Sequence, residues 1–300
     1  MEHSLETLER CPSCKTNSFR ETLRCVDSTY SKSTFTIVEC ANCGLHFTNP
    51  RPTETAIGKY YDNPEYVSHT DTQEGLLFKI YAFVKNYTLG GKEQLLVSLT
   101  NEKMVLDYGA GSGDFTNHLQ RKGWNVSAFE PDANARCQIG KKNSSINLVN
   151  NLSDISDESL SIVTLWHVLE HVHKLEETLM DFHRILKNNG NLIIAVPNHT
   201  SYDAQVYGED WAAYDVPRHL YHFNPKTIEP LLNQAGFSLT NIKPMWFDSI
   251  YVSLLSEKNR GHNGLFAWLR AGTIGMLSNL NTVFRAQKCS SLTYVFKKRI

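Results

Sequence analysis

Several features are scarce in this 300-residue chain, and each scarcity excludes a class of protein. No uninterrupted apolar run reaches the roughly 18 residues that a bilayer-spanning helix needs. The opening MEHSLETLER has no apolar stretch of the kind that marks a secretory signal. Neither sign of charge dominates: 30 Lys and Arg against 31 Asp and Glu leave a formal charge of −1, so no broad basic field invites nucleic acid. Seven cysteines are too few and too clustered for a disulfide scaffold, and a reducing compartment with a metal site accounts for them better. The composition therefore predicts a cytoplasmic protein without a nucleic-acid partner and leaves the oligomeric state open. Its length allows one large domain or two modest ones.

Four of the cysteines form two Cys-x-x-Cys turns, Cys11-Pro-Ser-Cys14 and Cys40-Ala-Asn-Cys43, with 25 residues between them. Two such turns supply four thiolates to one tetrahedral zinc ion. The gap exceeds the usual ~15–20 residues, and a longer hairpin with strands at Phe19–Val26 and Thr34–Glu39 absorbs the excess. Residues 1–10 read as a helical or frayed lead-in. So short a module has little core of its own, so a structural zinc ion would stabilise its fold directly. The alternative is a metal-free pair of reduced turns; a redox role lacks the surrounding βαβ pattern.

The division that follows is a zinc ribbon at 1–50, a linker with covering helices at 51–100, and a larger domain at 101–300 with insertions at 198–224 and 248–290. The linker carries Asn49-Pro-Arg-Pro and clustered tyrosines, Tyr60, Tyr61 and Tyr66. It either lies over a ligand pocket or staples two units together. Leu76–Tyr87 and Lys92–Leu99 have helical periodicity, with Gly90-Gly91 as the break between them.

From Lys103 onward strand and helix signals alternate. Met104–Tyr108 is followed by a helix over 115–122, Asn125–Glu130 by a helix over 132–141, and Ile146–Asn150 by a short acidic segment. Ser161–Trp166 then leads to a helix over 168–187, and Asn191–Val196 follows the Lys187–Gly190 turn. This alternation predicts an α/β, Rossmann-like, doubly wound sheet. The first strand runs into Asp107-Tyr108-Gly109-Ala110-Gly111-Ser112-Gly113, and a glycine loop between strand and helix brings backbone N–H groups close to a ligand. Glu130 ends the second strand, where a carboxylate accepts the ribose hydroxyls of an adenosine-type ligand. An acid two residues before the first glycine opposes a pyrophosphate and suits a ligand carrying an ammonium and a sulfonium, which favours S-adenosylmethionine over a dinucleotide.

These landmarks, VLDYGAGSGDF, AFEPD, SIVTLWHVLEHV, FHRILKNNGNLIIAVPN and LLNQAGF in that order, resemble the class I S-adenosylmethionine-dependent methyltransferases from about Lys103 to the end. The resemblance implies a seven-stranded sheet, with its last two strands at Phe237–Pro244 and Leu292–Lys298. It implies that Asp107, Gly109 and Gly111, in a loop completed by Ala110 and Gly113, face the methionine moiety, and that Glu130 faces the ribose. Asn151 would lie near adenine, and Trp166 and His167 would line the methyl-transfer end.

The insertion Tyr207–Phe223 is rich in aromatics and histidines, and loops at the carboxyl ends of parallel strands build substrate sites. Its Arg218-His219-Leu220-Tyr221-His222-Phe223 is similar to the Glu-His-Leu-x-x-Phe stretch of zinc-containing deoxysugar C-methyltransferases, with Arg218 in place of the Glu. That similarity implies His219 as general base, with His222 second and His171 as a further catalytic candidate. The acceptor expected is a small molecule, a sugar or another cell-envelope or secondary metabolite. His167-Val-Leu-Glu170-His171 also resembles the Glu-x-x-Glu-His of quinone O-methyltransferases, which bind a divalent metal there, so quinone-type O-methylation is the alternative enzyme. A cofactor-sensing binding module is the alternative outside catalysis. Apolar residues at helical spacing within 248–290 predict a core or lid helix pair, or a surface that touches a membrane or a lipid-linked substrate.

Overall fold

Phe19–Val26 (β1), Thr34–Cys40 (β2) and His46–Thr48 (β3) form an antiparallel meander in the computed structural model, which describes residues 4–61 and 76–299. Tyr66 lies outside the described residues. Among the described residues of the lead-in, Leu5–Glu6 pairs antiparallel with Arg51–Pro52 as a short strand, in place of the helical or frayed segment expected. This pairing gives its backbone groups partners that a frayed helix start would lack.

Helix α1 (Leu76–Leu99) then leads into the large sheet. It passes through Gly90 and Gly91 without a break. Two glycines in a helix cost only about 1 kcal/mol each, and burial of Leu95 and Leu96 anchors the far end. Next come β4 (Met104–Tyr108), α2 (Asp114–Arg121), β5 (Asn125–Phe129), α3 (Ala133–Lys142), β6 (Asn147–Val149) and β7 (Leu160–Trp166). They are followed by α4 (Leu175–Ile185), β8 (Leu186–Pro197), α5 (Tyr202–Tyr207) and β9 (Tyr221–His222). The chain ends with α6 (Pro225–Gln234), β10 (Phe237–Pro244), α7 (Asp248–Asn259), α8 (Gly264–Phe284) and β11 (Ser291–Lys298).

The sheet order is β10-β11-β8-β7-β4-β5-β6, with β11 antiparallel to both neighbours. This is the Rossmann-like, seven-stranded fold of class I methyltransferases. Strands β7 and β8 lie in its middle, and their apolar runs are buried along nearly their whole length because both faces are covered. Helix α4 covers one face with Leu175, Leu179, Phe182 and Ile185.

Two boundaries differ from the sequence expectation near the site. The segment after Trp166 makes a 3₁₀ turn at Leu169–His171, and α4 starts only at Leu175. His167 sits in the left-handed region (φ 57°), and the Glu170 carbonyl accepts from the Leu220 amide of the insertion at 2.7 Å, so neither can extend a helix. At the other end, Leu186 pairs with Leu160, so β8 starts before the Lys187–Gly190 turn and absorbs it as an irregularity.

The N-terminal meander gains a fourth strand from the insertion: Tyr221 pairs with Phe47 and His222 with His46. Cys11, Cys40, Leu45 and Phe47 share one hydrophobic core with Leu165, Leu169, Leu220 and Phe223. A module with too little apolar surface for its own core therefore packs directly behind the inserted loop.

Candidate active site

The carboxyl ends of β4, β5 and β7 carry the glycine loop and carboxylates expected of a cofactor site. Gly109 adopts φ 76°, and a Cβ there would stand 2.4 Å from Val168, so only glycine fits. A Cβ on Gly111 would meet nothing within 4 Å, which leaves open space beside the loop. Ala110 donates to the Phe129 carbonyl, and Gly113 precedes the first turn of α2. Glu130 accepts from the amides of Gly111 (2.7 Å) and Asp132 (2.9 Å), which tie its carboxylate to the open side of the loop. Burial pushes this carboxyl upward despite those two bonds.

Asp107 takes a different place from the one expected of it. Its carboxylate is buried beneath the loop and accepts from the hydroxyls of Thr164 (2.9 Å) and Thr116 (3.0 Å). It braces β4 against β7 and α2 rather than lying open to the cleft. Lys92 of α1 supplies a cation that the sequence pattern did not single out. Its ammonium lies 4.1 Å from the centre of the Trp166 ring, and burial lowers it to about 8. Asn151 is exposed beyond β6, where its amide donates to Asp154 at 3.1 Å.

Trp166 ends β7, and the left-handed turn at His167 sends its ring between two carboxylates. Nε2 lies 3.1 Å from Asp248 and Nδ1 3.6 Å from Glu170. Burial opposes the charge of this imidazole, but Asp248 and Glu170 outweigh it and lift the pKa to about 10. Glu170 is fully buried, and neither of its carboxylate oxygens has a hydrogen-bond partner.

His171 and His219 lie beside Glu170. Nδ1 of His171 donates to the Arg218 carbonyl (3.0 Å), and Nδ1 of His219 to the Ala213 carbonyl (2.9 Å). A carbonyl only accepts, so Nδ1 of His219 carries the hydrogen and its Nε2 faces Glu170 at 4.0 Å, while Nδ1 of His171 also meets the Tyr61 hydroxyl at 2.9 Å. Ligand atoms of Glu170, His171 and His219 all lie within 4.8 Å of one another. Burial, helped by neighbouring His171, presses His219 down to about 4, so it is neutral at physiological pH. The unpartnered Glu170 oxygens and the Nε2 lone pair of His219 thus meet with no donor between them, an arrangement that a proton donor or a cation completes. His222 is not part of this group. Its Nε2 lies 3.2 Å from the Thr48 hydroxyl, its ring packs on Tyr214, and burial holds it neutral.

The loop bearing His219 is held by the N-terminal hairpin. Arg218 is buried, and its guanidinium meets Asp27 at 3.2 Å, both Asp215 oxygens at 3.0–3.1 Å through Nε, and the Tyr60 carbonyl at 3.1 Å. Asp27 in turn caps the hairpin loop by accepting from the amides of Thr29, Tyr30 and Ser31.

Behind the same hairpin the four cysteines converge. Cys11 and Cys43 sulfurs are 3.6 Å apart, Cys14 and Cys40 sulfurs 3.5 Å, and all four lie within 4.8 Å of one another. A tetrahedron with Zn–S of ~2.3 Å has edges of about 3.8 Å, so the donor set fits zinc. Burial opposes ionisation of Cys14, but the Asn42 side chain, the Thr16 amide and the neighbouring thiols outweigh it and draw the thiol down to about 6. A separate cavity of about 320 Å³, lined by Met104, Asn125 and Asn147, lies at the amino ends of the strands and contains none of these residues.

A family model described as a methyltransferase domain matches residues 85–242. A ubiquinone biosynthesis O-methyltransferase of Rickettsia bellii is 21% identical over 229 residues, covering 71% of this chain and 95% of the relative. A protein of the same name from Nitrosococcus oceani is 25% identical over 162 residues, covering 49% of this chain and 69% of its own. Among solved structures, a candidate sarcosine dimethylglycine methyltransferase of Galdieria sulphuraria superposes with a TM-score of 0.50 at 14% identity, covering 74% of this chain and 88% of that one. That last likeness concerns the fold alone.

Proposed function

This chain belongs to the methyltransferase domain family and is an S-adenosylmethionine-dependent methyltransferase, and on that premise we propose that it methylates a small-molecule acceptor with His219 as general base. The observation that carries the reading is the convergence of Glu170, His171 and His219 beside the end of β7. S-adenosylmethionine supplies an electrophilic methyl group when bound. The chain's own residues position the partners, which is much of what an in-line displacement requires. Glu130 accepts the ribose hydroxyls, Gly111 leaves room for close approach, and Trp166 and His167 border the methyl end. The Nε2 lone pair of His219 takes a proton from the acceptor's hydroxyl, amine or acidic C–H, and buried Glu170 stabilises the imidazolium that forms.

Cys11, Cys14, Cys40 and Cys43 hold a structural zinc ion that fixes the hairpin behind this loop. The acceptor favoured is a sugar or another cell-envelope or secondary metabolite, in keeping with the histidines that the insertion brings beside the end of β7.

A second reading has its own support. The curated relatives are named ubiquinone biosynthesis O-methyltransferases, and the same three donors suit a divalent cation with one carboxylate and two imidazoles. In that case the acceptor is a quinone-type phenol and the cation, not His219, favours its deprotonated form. One experiment separates the two. S-adenosylhomocysteine release is screened across nucleotide sugars, lipid-linked sugars and quinone precursors, with metal content measured on the same sample. A sugar acceptor with zinc as the only bound metal supports the first reading, while a phenolic acceptor with a second, chelator-sensitive metal supports the other. No release with any acceptor class sinks both.

A further inference from the structure

Helix α8 is inverted relative to an ordinary surface helix. Its inward face is mostly small or polar, with Ala267, Ala271, Gly275, Ser278 and Thr282 buried and Ile274 the one large apolar side chain among them. Gly275 packs so closely on α7 that a Cβ would stand 2.7 Å from the Ile250 Cα. Its outward face carries the large apolar side chains instead: Leu265 is 76% exposed, Leu269 62%, Trp268 56% and Phe284 86%. A globular helix buries such residues and turns its small polar ones outward. Exposed Trp246 and Phe247 continue the apolar surface to Asp248, the partner of His167, so the patch reaches the mouth of the candidate site.

The charge of this surface selects its occupant. Between Lys258 and Lys288 the chain carries Lys258, Arg260, Arg270, Arg285 and Lys288 and no Asp or Glu. Asp210 and Glu257 pair with Arg260 and Arg270, which leaves Arg285 and Lys288, just past the carboxyl end of α8, as its cationic end. A second copy docked face to face would set like charges together in a low-dielectric contact. An anionic lipid surface meets both the apolar face and its cationic end. No helix among the described residues is long and apolar enough to cross a membrane, so α8, about 31 Å long at 1.5 Å per residue, would lie along the interface.

We propose that the outward face of α8 docks this protein on an anionic membrane surface, with Leu265, Trp268, Leu269 and Phe284 inserted among the headgroups. The reading is independent of which acceptor is methylated. The test is flotation of the full chain with vesicles of phosphatidylcholine containing a minority of phosphatidylglycerol, against pure phosphatidylcholine. The wild type is expected to float with the anionic vesicles and to be released by high salt. The double variant Leu269→Glu, Phe284→Glu is expected to lose at least about tenfold in partitioning while keeping its cofactor affinity and thermal transition. Wild type that stays in the soluble fraction overturns the proposal. So does a concentration-dependent dimer that the double variant splits, because a second copy then covers the face.

Discussion

Replacing Arg218 by Met tests the idea that the N-terminal hairpin positions the inserted loop. Arg218 is 1% exposed and bridges Asp27, which is 0% exposed, to Asp215, which retains 19%. Met fills similar volume without charge. Asp27 keeps the amides of Thr29, Tyr30 and Ser31 and the Ser31 hydroxyl, so it remains well satisfied. Asp215 keeps only the neighbourhood of His219 and some solvent. The expected loss is therefore at the lower end of the 3–5 kcal/mol typical of a broken buried pair, about 3 kcal/mol. Because the contact ties a loop rather than the central sheet, part of that loss appears as local release of residues 215–222. At about 1.4 kcal/mol per factor of ten, turnover falls by up to about a hundredfold. Affinity for S-adenosylmethionine, whose proposed contacts are at Gly111 and Glu130, stays near wild type. Asp27→Ala is expected to be the more damaging change, since it leaves three amides and the Ser31 hydroxyl unpaired and removes one of the two carboxylates on Arg218. Urea titrations, S-adenosylhomocysteine release and calorimetric cofactor binding give the three readouts. Wild-type stability and turnover in Arg218→Met, or a milder effect of Asp27→Ala, would refute the reasoning.

Other perturbations follow from the same geometry. Removing the proposed zinc with a strong chelator, or changing Cys40 to Ser, is expected to unfold the hairpin and suppress turnover with it, because β9 pairs with β3; activity retained in metal-free protein contradicts this. Glu130→Ala removes the proposed acceptor for two ribose hydroxyls at roughly 1.5–3 kcal/mol for each charge-assisted bond, so cofactor affinity is expected to drop at least about tenfold by calorimetry. Gly109→Ala forces a Cβ to 2.4 Å from Val168 in a left-handed residue and should weaken both cofactor binding and stability, as urea midpoints would reveal. Stability should also fall on acidification. Burial holds His219 at about 4 and His199 at about 3, below the roughly 6.5 of an unfolded imidazole. The unfolded chain then binds more protons between those limits, so stability rises with pH up to about 6.5 and is lost below it. His167, lifted to about 10, works in the opposite sense: its contribution is full below about 6.5 and fades as the pH climbs towards 10. Urea midpoints measured from acid to alkaline pH should therefore peak near neutrality, and a flat profile contradicts the burial of these rings.

What could be read from the sequence was local. The glycine loop, Glu130 at a strand end and the two cysteine turns are short-range patterns, and the order of strands and helices follows from apolar periodicity. Strand β10 matches its expected limits, and β11 does so to within a residue. What escaped was set by distant pairing. The contact of Glu170 and His171 with His219 joins segments 48 residues apart and depends on the Leu220 amide reaching the Glu170 carbonyl. The burial of Asp107 depends on Thr164, a strand away, which no spacing along β4 reveals. Arg218 looked like a departure from a motif, yet its partner Asp27 sits in a hairpin loop at the other end of the chain. Gly90-Gly91 looked like a helix break, but local propensity yielded to the continuity of α1.

The central claim is that His219 serves the acceptor and not the cofactor. Its most direct test compares His219→Ala with wild type by calorimetric binding of S-adenosylmethionine and by single-turnover methyl transfer to an acceptor found by screening. The account predicts unchanged cofactor affinity and a loss of transfer of at least about a hundredfold. Near-normal transfer, or a loss of cofactor binding equal to the loss of transfer, would contradict it.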